Sequence, residues 1–357
     1  MPTSTACKDR DVAESLAAAV RRAGETRAPL RIVGGDSKRF YGHPSTDDVL
    51  SLADHRGIIG YEPSELVITA RAGTPVADVE ALLAEHDQML AFEPPVFGPT
   101  STIGGVVAAG LSGPRRPFAG AVRDFVLGVT VLDGQGRSLR LGGTVVKNVA
   151  GFDGFRLMAG ALGCLGVLLD VSLRVVPKPR AERALSLAID EPDGARLLTS
   201  LMRRPLPLSG AFHDGERLNL RLSGADAAVT QAAREIGGED TPLGLWDDLR
   251  HIRLSLLSAP RLWRLAVPRT AGVLPLEGRW LHDWAGAQRW LVTDEAAERV
   301  RAAARATGGH ATLFRGAGPD EAVFTPLSAP LLALHQRLKA AFDPVGIINP
   351  GRMYREL

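Results

Sequence analysis

Cysteine is scarce in this chain, and the two cysteines present form no recognisable pattern. Cys7 stands near the amino terminus and Cys164 in an apolar, glycine-rich stretch. Two thiols in such different settings argue against a disulfide framework and cannot supply a cysteine-rich zinc site. The eight histidines are at least twelve residues apart, so no two of them have the spacing of a local metal motif. We therefore expect no bound metal.

Long apolar runs and a strong net charge are also missing. No stretch reaches the roughly eighteen apolar residues of a membrane-spanning helix, because Arg156, Asp170 and Arg174 interrupt the best candidates. The first six residues lack the basic segment and apolar run of a signal peptide. A net charge of +2 gives no electrostatic argument for nucleic acid. We expect a cytoplasmic protein, with any attachment to the inner membrane made through partner subunits.

The overall composition is that of a soluble globular protein, with 45% hydrophobic and 23% charged residues. A chain of 357 residues is long enough for two or three domains, each with its own core. Composition alone points to no function, so the function has to be inferred from motifs.

The most informative stretch is 93–179, and within it residues 98–105 read Gly-Pro-Thr-Ser-Thr-Ile-Gly-Gly. Hydroxyl side chains followed by two glycines leave backbone N–H groups free to converge on one point. The apolar residues 106–109 favour a helix whose positive end faces the same way. This combination predicts a diphosphate site, with an empty helix N-cap as the alternative interpretation.

Further along this stretch, residues 122–132, the turn 133–136 and residues 139–141 predict a hairpin of buried strands. The glycine-rich segment 160–166 follows, and residues 167–176 predict a strand. Before the stretch we expect a helix at 11–23 ended by Gly24, strands at 30–33, 66–72 and 88–92, and a helix at 76–85. The loop 34–42 is rich in glycine and follows a strand, which makes it a second candidate for phosphate binding.

The order of these motifs resembles the FAD-binding domain of the p-cresol methylhydroxylase (PCMH) and vanillyl-alcohol oxidase type over residues 10–180. Across nearly the whole chain the sequence is similar to the FAD-binding subunits of glycolate oxidase, including the segments 284–290, 309–315 and 342–352. The resemblance implies an α+β fold. A PCMH-type FAD-binding domain of two subdomains would occupy residues 1–180, a ferredoxin-like α+β cap domain 181–330, and a helix and tail returning to the flavin 331–357.

The expected cap elements agree with a ferredoxin-like layer. A strand at 184–190, a helix at 193–203, a strand pair at 211–222 and a helix at 225–236 give a β-α-β-β-α order. Segments 276–280, 285–292, 296–306 and 310–314 extend it. A last helix at 331–342 is expected to turn Leu334, Leu338 and Phe342 inward.

Two loops are expected to enclose the FAD diphosphate. One supplies the hydroxyls of Thr100, Ser101 and Thr102 and the amides of Gly104 and Gly105. The opposite loop supplies Gly34, Gly35, Ser37 and Lys38, although Lys38 is equally consistent with a solvated loop lysine. The resemblance assigns these further residues to the cofactor site: Asp36, Pro99, Ile103, Ala108, Arg123, Asp124, Lys147, Gly160, Gly163, Gly166, Val167 and Asn349.

Some of these positions have alternative interpretations. In relatives with a covalently attached flavin a histidine would fall at Asp36, so we expect FAD to be bound without a covalent link. Gly160, Gly163 and Gly166 allow the backbone to approach the cofactor closely. Lys147 is placed for the pyrimidine edge of the flavin or for a surface ion pair, and Arg123 and Asp124 could instead pair with each other.

The catalytic candidates are His310 as a base and Arg315 as a carboxylate-binding cation, with core histidine and surface arginine as the alternative interpretations. The metal-binding His-x-Gly-Asp-Gly-Asn and Glu-His motifs of the catalytic 2-hydroxy-acid dehydrogenases of this family are absent. The resemblance implies a glycolate oxidase subunit that passes electrons through FAD to a second flavoprotein subunit and an iron–sulfur subunit. A self-sufficient 2-hydroxy-acid dehydrogenase and a non-catalytic structural subunit are the alternatives.

Overall fold

The computed structural model describes residues 9–144 and 153–357. The helices of these residues are α1 Ala13–Thr26, α2 Val76–Ala84, α3 Ile103–Ala109, α4 Arg116–Ala119, α5 Val122–Phe125, α6 Glu191–Leu201, α7 Asp226–Ile236, α8 Gly244–Arg250, α9 Ala297–Ala306 and α10 Ala329–Phe342. Short 3₁₀ turns occupy Gly154–Met158, Ser255–Ser258 and Trp284–Gly286. None of the helices in these two ranges is long and apolar enough to cross a membrane.

The strands are β1 Leu30–Val33, β2 Asp48–Ser51, β3 Ile58–Glu62, β4 Val67–Arg71, β5 Gln88–Met89, β6 Val126–Leu132, β7 Ser138–Gly142, β8 Val167–Arg174, β9 Val176–Pro177, β10 Ala181–Ala188, β11 Leu208–His213, β12 Arg217–Gly224, β13 Glu239–Thr241, β14 Leu262–Ala266, β15 Arg279–Asp283, β16 Gln288–Val292 and β17 His310–Arg315. The α+β fold class is confirmed. Most element bounds lie within a few residues of the sequence-based expectation.

The amino-terminal unit, residues 9–180, contains a five-stranded antiparallel sheet in the order β3-β4-β8-β6-β7. Its central strand β8 is largely buried, since six of its eight residues lie in the core and the other two are Asp170 and Arg174. A smaller parallel pair, β1 and β2, lies beside it. Helices α1, α2 and α3 pack into one hydrophobic core with these strands. The short helix α3 is capped by Thr102, whose hydroxyl accepts a hydrogen bond from the amide of Gly105.

The carboxyl-terminal half forms one sheet of eight strands, the cap sheet, in the order β13-β10-β12-β11-β15-β16-β14-β17. The sheet has two halves, β10–β13 and β14–β17. When the strands of each half are numbered 1 to 4 along the chain, the first half has the order 4-1-3-2 and the second half the reverse order, 2-3-1-4. Each half is a ferredoxin-like unit, and the halves meet through a single pair, His213 opposite His282. The second half has only α9 where the first has α6 and α7. The sequence shows no internal repeat, so this duplication was not expected.

A buried ionic cluster joins the cap sheet to the amino-terminal unit. Glu93 accepts hydrogen bonds from Arg221 at 2.9 Å and from the Arg115 side chain at 3.1 Å, and Arg115 also donates to Glu182 at 2.7 Å. Burial alone would raise the pKa of Glu93, but the two arginine charges outweigh it and lower the pKa. Removing either arginine would leave a buried carboxylate short of a partner, which is strongly destabilising.

Two expectations about helices are wrong, one about where α1 ends and one about which side chain of α10 is buried. Gly24 does not stop α1, because the helix continues to Thr26 and ends where Arg27 takes a left-handed conformation. Leu334 does not face inward in α10 but is 43% exposed. The buried side chain of that helix is instead Lys339, which donates to Asp343 at 2.8 Å and to the Cys164 carbonyl at 2.9 Å. These bonds hold the tail that follows α10 against the amino-terminal unit.

Candidate FAD-binding cleft

A cleft in the amino-terminal unit brings together three segments that are far apart in the sequence. It lies between the loop after β1, the start of α3 and the turn before β8, with the carboxyl-terminal tail along one side. The predicted site residues that line it are Gly34, Gly35, Asp36, Ser37, Lys38, Thr102, Gly104, Gly105, Ala108, Gly163, Gly166 and Asn349. The structure therefore places more than half of the predicted cofactor residues around one cleft.

The loop after β1 is the strongest candidate for holding a diphosphate. Within the described part of the chain, the backbone N–H groups of residues 34–38 donate no hydrogen bond, although the loop itself is closed by Arg39 N–H bonding the Asp36 carbonyl at 3.2 Å. Asp36 has a left-handed backbone, with φ of 52°. A left-handed residue among right-handed ones turns successive N–H groups toward one point, which makes an anion-binding concavity.

The loop after β1 and segment 100–102 touch each other, and their hydroxyls are used in that contact. The Thr100 hydroxyl donates to the Gly35 carbonyl at 2.8 Å, and the Ser37 and Ser101 hydroxyls are 2.8 Å apart. A Cβ on Gly35 would lie 1.5 Å from the Thr100 carbonyl oxygen, so only glycine permits this approach. Thr100 and Ser101 therefore use their hydroxyls to join the two loops, and their contact with a ligand stays a prediction.

The amide of Gly104 is not available to a ligand either. It donates to the Ala72 carbonyl at 2.9 Å, and a Cβ on Gly104 would lie 2.5 Å from the Cβ of Ala72. Gly105 faces the cleft, and its amide makes only a long bond of 3.3 Å to the Thr102 hydroxyl. The start of α3 thus offers a ligand the amide of Gly105, whose hydrogen bond is long, because the amide of Gly104 is bonded to the residue that follows β4.

The carboxyl-terminal tail fixes the shape of the cleft. Asn349 accepts from Ile32 N–H and donates to the Leu162 carbonyl, both at 2.8 Å. Arg352 donates to several carbonyls of the loop after β1, among them Tyr41 at 2.7 Å and Arg39 at 3.0 Å. Asn349 was expected here. Arg352 was missed, although it ends the segment 342–352 on which the resemblance rests, and an arginine three residues after Asn349 in that segment was the available signal.

Charge and hydrophobicity divide the cleft into two compartments. One is basic, with Arg31, Lys38 and Arg352 around the loop after β1. Burial lowers the pKa of Lys38 to about 8, and its ammonium group lies 5.8 Å from the centre of the Phe97 ring. The other compartment is lined largely by apolar side chains, namely Ile32, Leu52, Ala72, Ala108, Leu162 and Leu168. A basic and an apolar compartment side by side fit the diphosphate and a ring system of a dinucleotide.

Several predicted cofactor residues lie outside the cleft. Ile103 and Val167 are fully buried in the core, Pro99 is exposed, and Gly160 packs against Gly110 with its amide bonded to the Val107 carbonyl at 2.9 Å. Arg123 and Asp124 form an exposed pair with 3.7 Å between their charged atoms. Lys147 belongs to 145–152, outside the described residues.

His310 and Arg315 do not share a site. They are five residues apart in β17, which separates their Cα atoms by roughly 15 Å. Arg315 donates to the carbonyls of Leu257 at 2.8 Å and Ala259 at 3.2 Å, so its guanidinium anchors a neighbouring segment. Burial, together with the charges of Arg264 and Arg116, lowers the pKa of His310. The arginines whose charges act on His310 are thus Arg264 and Arg116, whereas Arg315 was the expected one.

The comparisons with known proteins agree with this geometry. A family model described as "FAD binding domain" matches residues 11–142. The chain is 45% identical to the glycolate oxidase subunit GlcE of Escherichia coli over 351 residues, which cover 98% of this chain and 99% of that protein. It is 31% identical to D-lactate dehydrogenase of Anaerostipes hadrus over 170 residues, 47% of this chain and 35% of that protein.

The fold has counterparts among solved structures. Alkyldihydroxyacetonephosphate synthase superposes with a TM-score of 0.69, covering 96% of this chain and 75% of that one, at 14% sequence identity. At such low sequence identity this comparison supports the fold and says nothing about function. Fold and cleft together define an FAD-binding flavoprotein with a PCMH-type domain and a cap. Within that class, its identity along the full length places the chain in the family of the glycolate oxidase subunit GlcE, whose members are FAD-dependent oxidoreductase subunits.

Proposed function

We propose that the chain holds FAD in the cleft between the loop after β1 and α3 and serves as the FAD-binding subunit of a glycolate-oxidising complex. The observation that carries this proposal is the run of unbonded N–H groups at residues 34–38, which opens onto a cleft with basic and apolar compartments. When bound, FAD would carry the electrons that are removed as hydride from the α-carbon of a 2-hydroxy acid and pass them on.

The protein's own residues would do the binding and positioning. Amides 34–38 and the charges of Lys38 and Arg352 would hold the diphosphate. Gly105 and Gly163 would let the cofactor approach the backbone, and Asn349 would keep the two walls at a fixed spacing. Lys147 remains a candidate from outside the described residues.

The partners are proposed from the name of the relative. A protein called a glycolate oxidase subunit works beside other subunits, and a second flavoprotein together with an iron–sulfur protein would supply substrate oxidation and onward electron transfer. Among the described residues no three histidine, cysteine, aspartate or glutamate side chains come together as a metal site could require. A shared reaction suits this chain better than a self-sufficient dehydrogenase does.

The first experiment is the flavin content of the purified full-length chain. We expect about one FAD per chain, released into the supernatant by acid precipitation, because Asp36 stands where a flavin-linked histidine would be. Colour that stays in the pellet would show a covalent link. A colourless protein that cannot be loaded with FAD would favour the structural-subunit alternative. Glycolate-dependent dye reduction should then appear on co-expression with the two partner subunits.

A further inference from the structure

Basic side chains without a carboxylate partner gather where the cap sheet meets the loop after β1. Arg264 lies in β14 and His310 in β17. The register pairs Ala266 with His310 and Arg264 with Thr312, so Arg264 and His310 lie diagonally on one face of the sheet. Arg116 approaches from α4. Within residues 9–144 and 153–357 none of these three takes part in an ion pair.

A chain of hydrogen bonds fixes the direction of Arg264. Its Nε donates to Gln288 at 2.6 Å, Gln288 donates to Asp283 at 3.0 Å, and Asp283 accepts from the Trp284 amide at 2.6 Å. Only one edge of the guanidinium is used in this way. The terminal nitrogens remain for other partners, and the guanidinium lies close enough to Tyr41 to act on its pKa.

Tyr41 links this place to the cleft. It is 6% exposed, lines the cleft, and packs with Phe314 of the cap at a ring distance of 5.4 Å. Burial raises the pKa of Tyr41, while the charge of Arg264 and a hydrogen bond with it act in the opposite direction. The phenol therefore remains protonated at neutral pH and can donate. A small ligand held by Tyr41 and Arg264 would border directly on the FAD cleft.

The accumulated positive charge favours binding of an anion, because within the described part of the chain Asp124 is the one carboxylate among the charges that act on Arg116. The guanidinium carbons of Arg116 and Arg264 lie 4.0 Å and 5.1 Å from the centre of the same Trp284 ring. Burial lowers the pKa of Arg116, and the nearby charge of Arg264 lowers it further. Holding like charges together in a partly dry place costs free energy, which a bound anion would recover. Arginine presents paired donors that match a carboxylate.

We propose that Arg264 and Tyr41, with His310 beside them, bind the carboxylate of a small 2-hydroxy or 2-oxo acid at the junction of the cap sheet and the FAD cleft. Arg116 adds positive potential across the Trp284 ring. This inference rests on the proposed function and assigns substrate binding to Arg264 in place of Arg315, which is engaged with backbone carbonyls.

The test is calorimetric titration of the full-length, FAD-loaded chain with glycolate and with D-lactate, followed in parallel by the flavin absorption spectrum. Ethylene glycol, which has the size of glycolate but no carboxylate, is the ligand control. Arg264→Gln and Tyr41→Phe should each raise the dissociation constant, the former by about tenfold or more because a charged hydrogen bond is lost. Arg279→Gln, at an exposed arginine of the same sheet, should bind like the wild type.

Three results would overturn the proposal: no heat and no spectral change with wild-type protein, equal affinity in Arg264→Gln, or equal binding of ethylene glycol. Tyr41→Phe keeps the test informative if Arg264→Gln misfolds, since it removes one oxygen atom only. Flavin content is measured first. A chain that holds no FAD contradicts the proposed function, whereas a yellow chain that ignores carboxylates contradicts this inference alone.

Discussion

The side chain of Asn349 bonds the backbone of Ile32 at 2.8 Å, across 317 positions of sequence. Its other amide atom donates to the turn at Leu162, so one side chain near the end of the chain joins two walls of the cleft. The backbone of Asn349 is left-handed, with φ of 43°, a conformation that asparagine tolerates better than most residues. The tail is therefore part of the candidate cleft.

Asn349→Ala should weaken FAD retention and lower the free energy of unfolding by about 2–4 kcal/mol, because two buried partners lose their hydrogen bonds. The measurements are flavin content after gel filtration and urea unfolding. Asn219→Ala is the matched control, since Asn219 is equally buried but lies in the cap sheet. It should cost stability and leave the flavin content unchanged. Equal flavin loss in both variants would show that the effect is general destabilisation.

Gly105→Glu should fold and fail to retain FAD. A Cβ at Gly105 would lie 3.2 Å from the Thr102 hydroxyl, a tight contact that a small shift relieves, and the carboxylate would then enter the cleft and oppose the diphosphate. Gly104→Glu is a poorer test because its Cβ would overlap Ala72. The control is Gly244→Glu, at an exposed first position of α8 with open space around it. A yellow Gly105→Glu protein would contradict the assignment of α3 to the cofactor.

The affinity for FAD should fall as the pH rises through about 8. Burial lowers the pKa of Lys38 to about 8, so below that value the loop presents a positive charge to the diphosphate and above it presents a neutral amine. Lys38→Arg should keep its affinity up to pH 9.5, because arginine stays charged, and Lys38→Met should bind weakly at every pH. Fluorescence titration of the FAD-free chain between pH 6.5 and 9.5 measures this. An identical decline in Lys38→Arg would assign the pH dependence to another group.

Much of the fold was predictable because hydrophobic period and turn residues determine it locally. The predicted helix 225–236 is α7 Asp226–Ile236, and the strand 30–33 is β1. The roles of Thr100 and Ser101 were not predictable, since a hydroxyl beside a glycine-rich turn serves equally to bind a ligand or to bond the facing loop. The duplication of the cap was not predictable either, because it is visible in the order of the strands in the sheet and not in the sequence.

Buried Asp283 should make the protein less stable as the pH rises. Burial raises the pKa of Asp283 from 3.8 to about 7. Between those values the folded state keeps a proton that the unfolded state releases, so the free energy of unfolding falls as the pH rises through this window. Asp283→Asn should remove this dependence and gain about 2–4 kcal/mol at pH 8 relative to its effect at pH 4. Urea unfolding at both pH values measures it, with Asp320→Asn as an exposed control.

The isolated subunit should show little or no flavin reduction by glycolate, even though we propose that it binds the carboxylate. Removing a hydride requires a base for the hydroxyl proton, held close to the substrate and shielded from water. Partial burial and the charges of Arg264 and Arg116 lower the pKa of His310, which suits a base, but the residue stands at the exposed start of β17 and is not shielded from water.

Anaerobic stopped-flow of the FAD-loaded chain with glycolate and D-lactate measures this, beside the chain co-expressed with its two proposed partners. Slow or absent bleaching alone and rapid bleaching in the complex would support a shared reaction. Rapid bleaching of the isolated chain that is lost in His310→Ala would instead make His310 a catalytic base and the chain a dehydrogenase in its own right. Arg315→Ala distinguishes the role of Arg315 from that of Arg264. Because Arg315 anchors backbone carbonyls, its loss should lower stability before it lowers the rate.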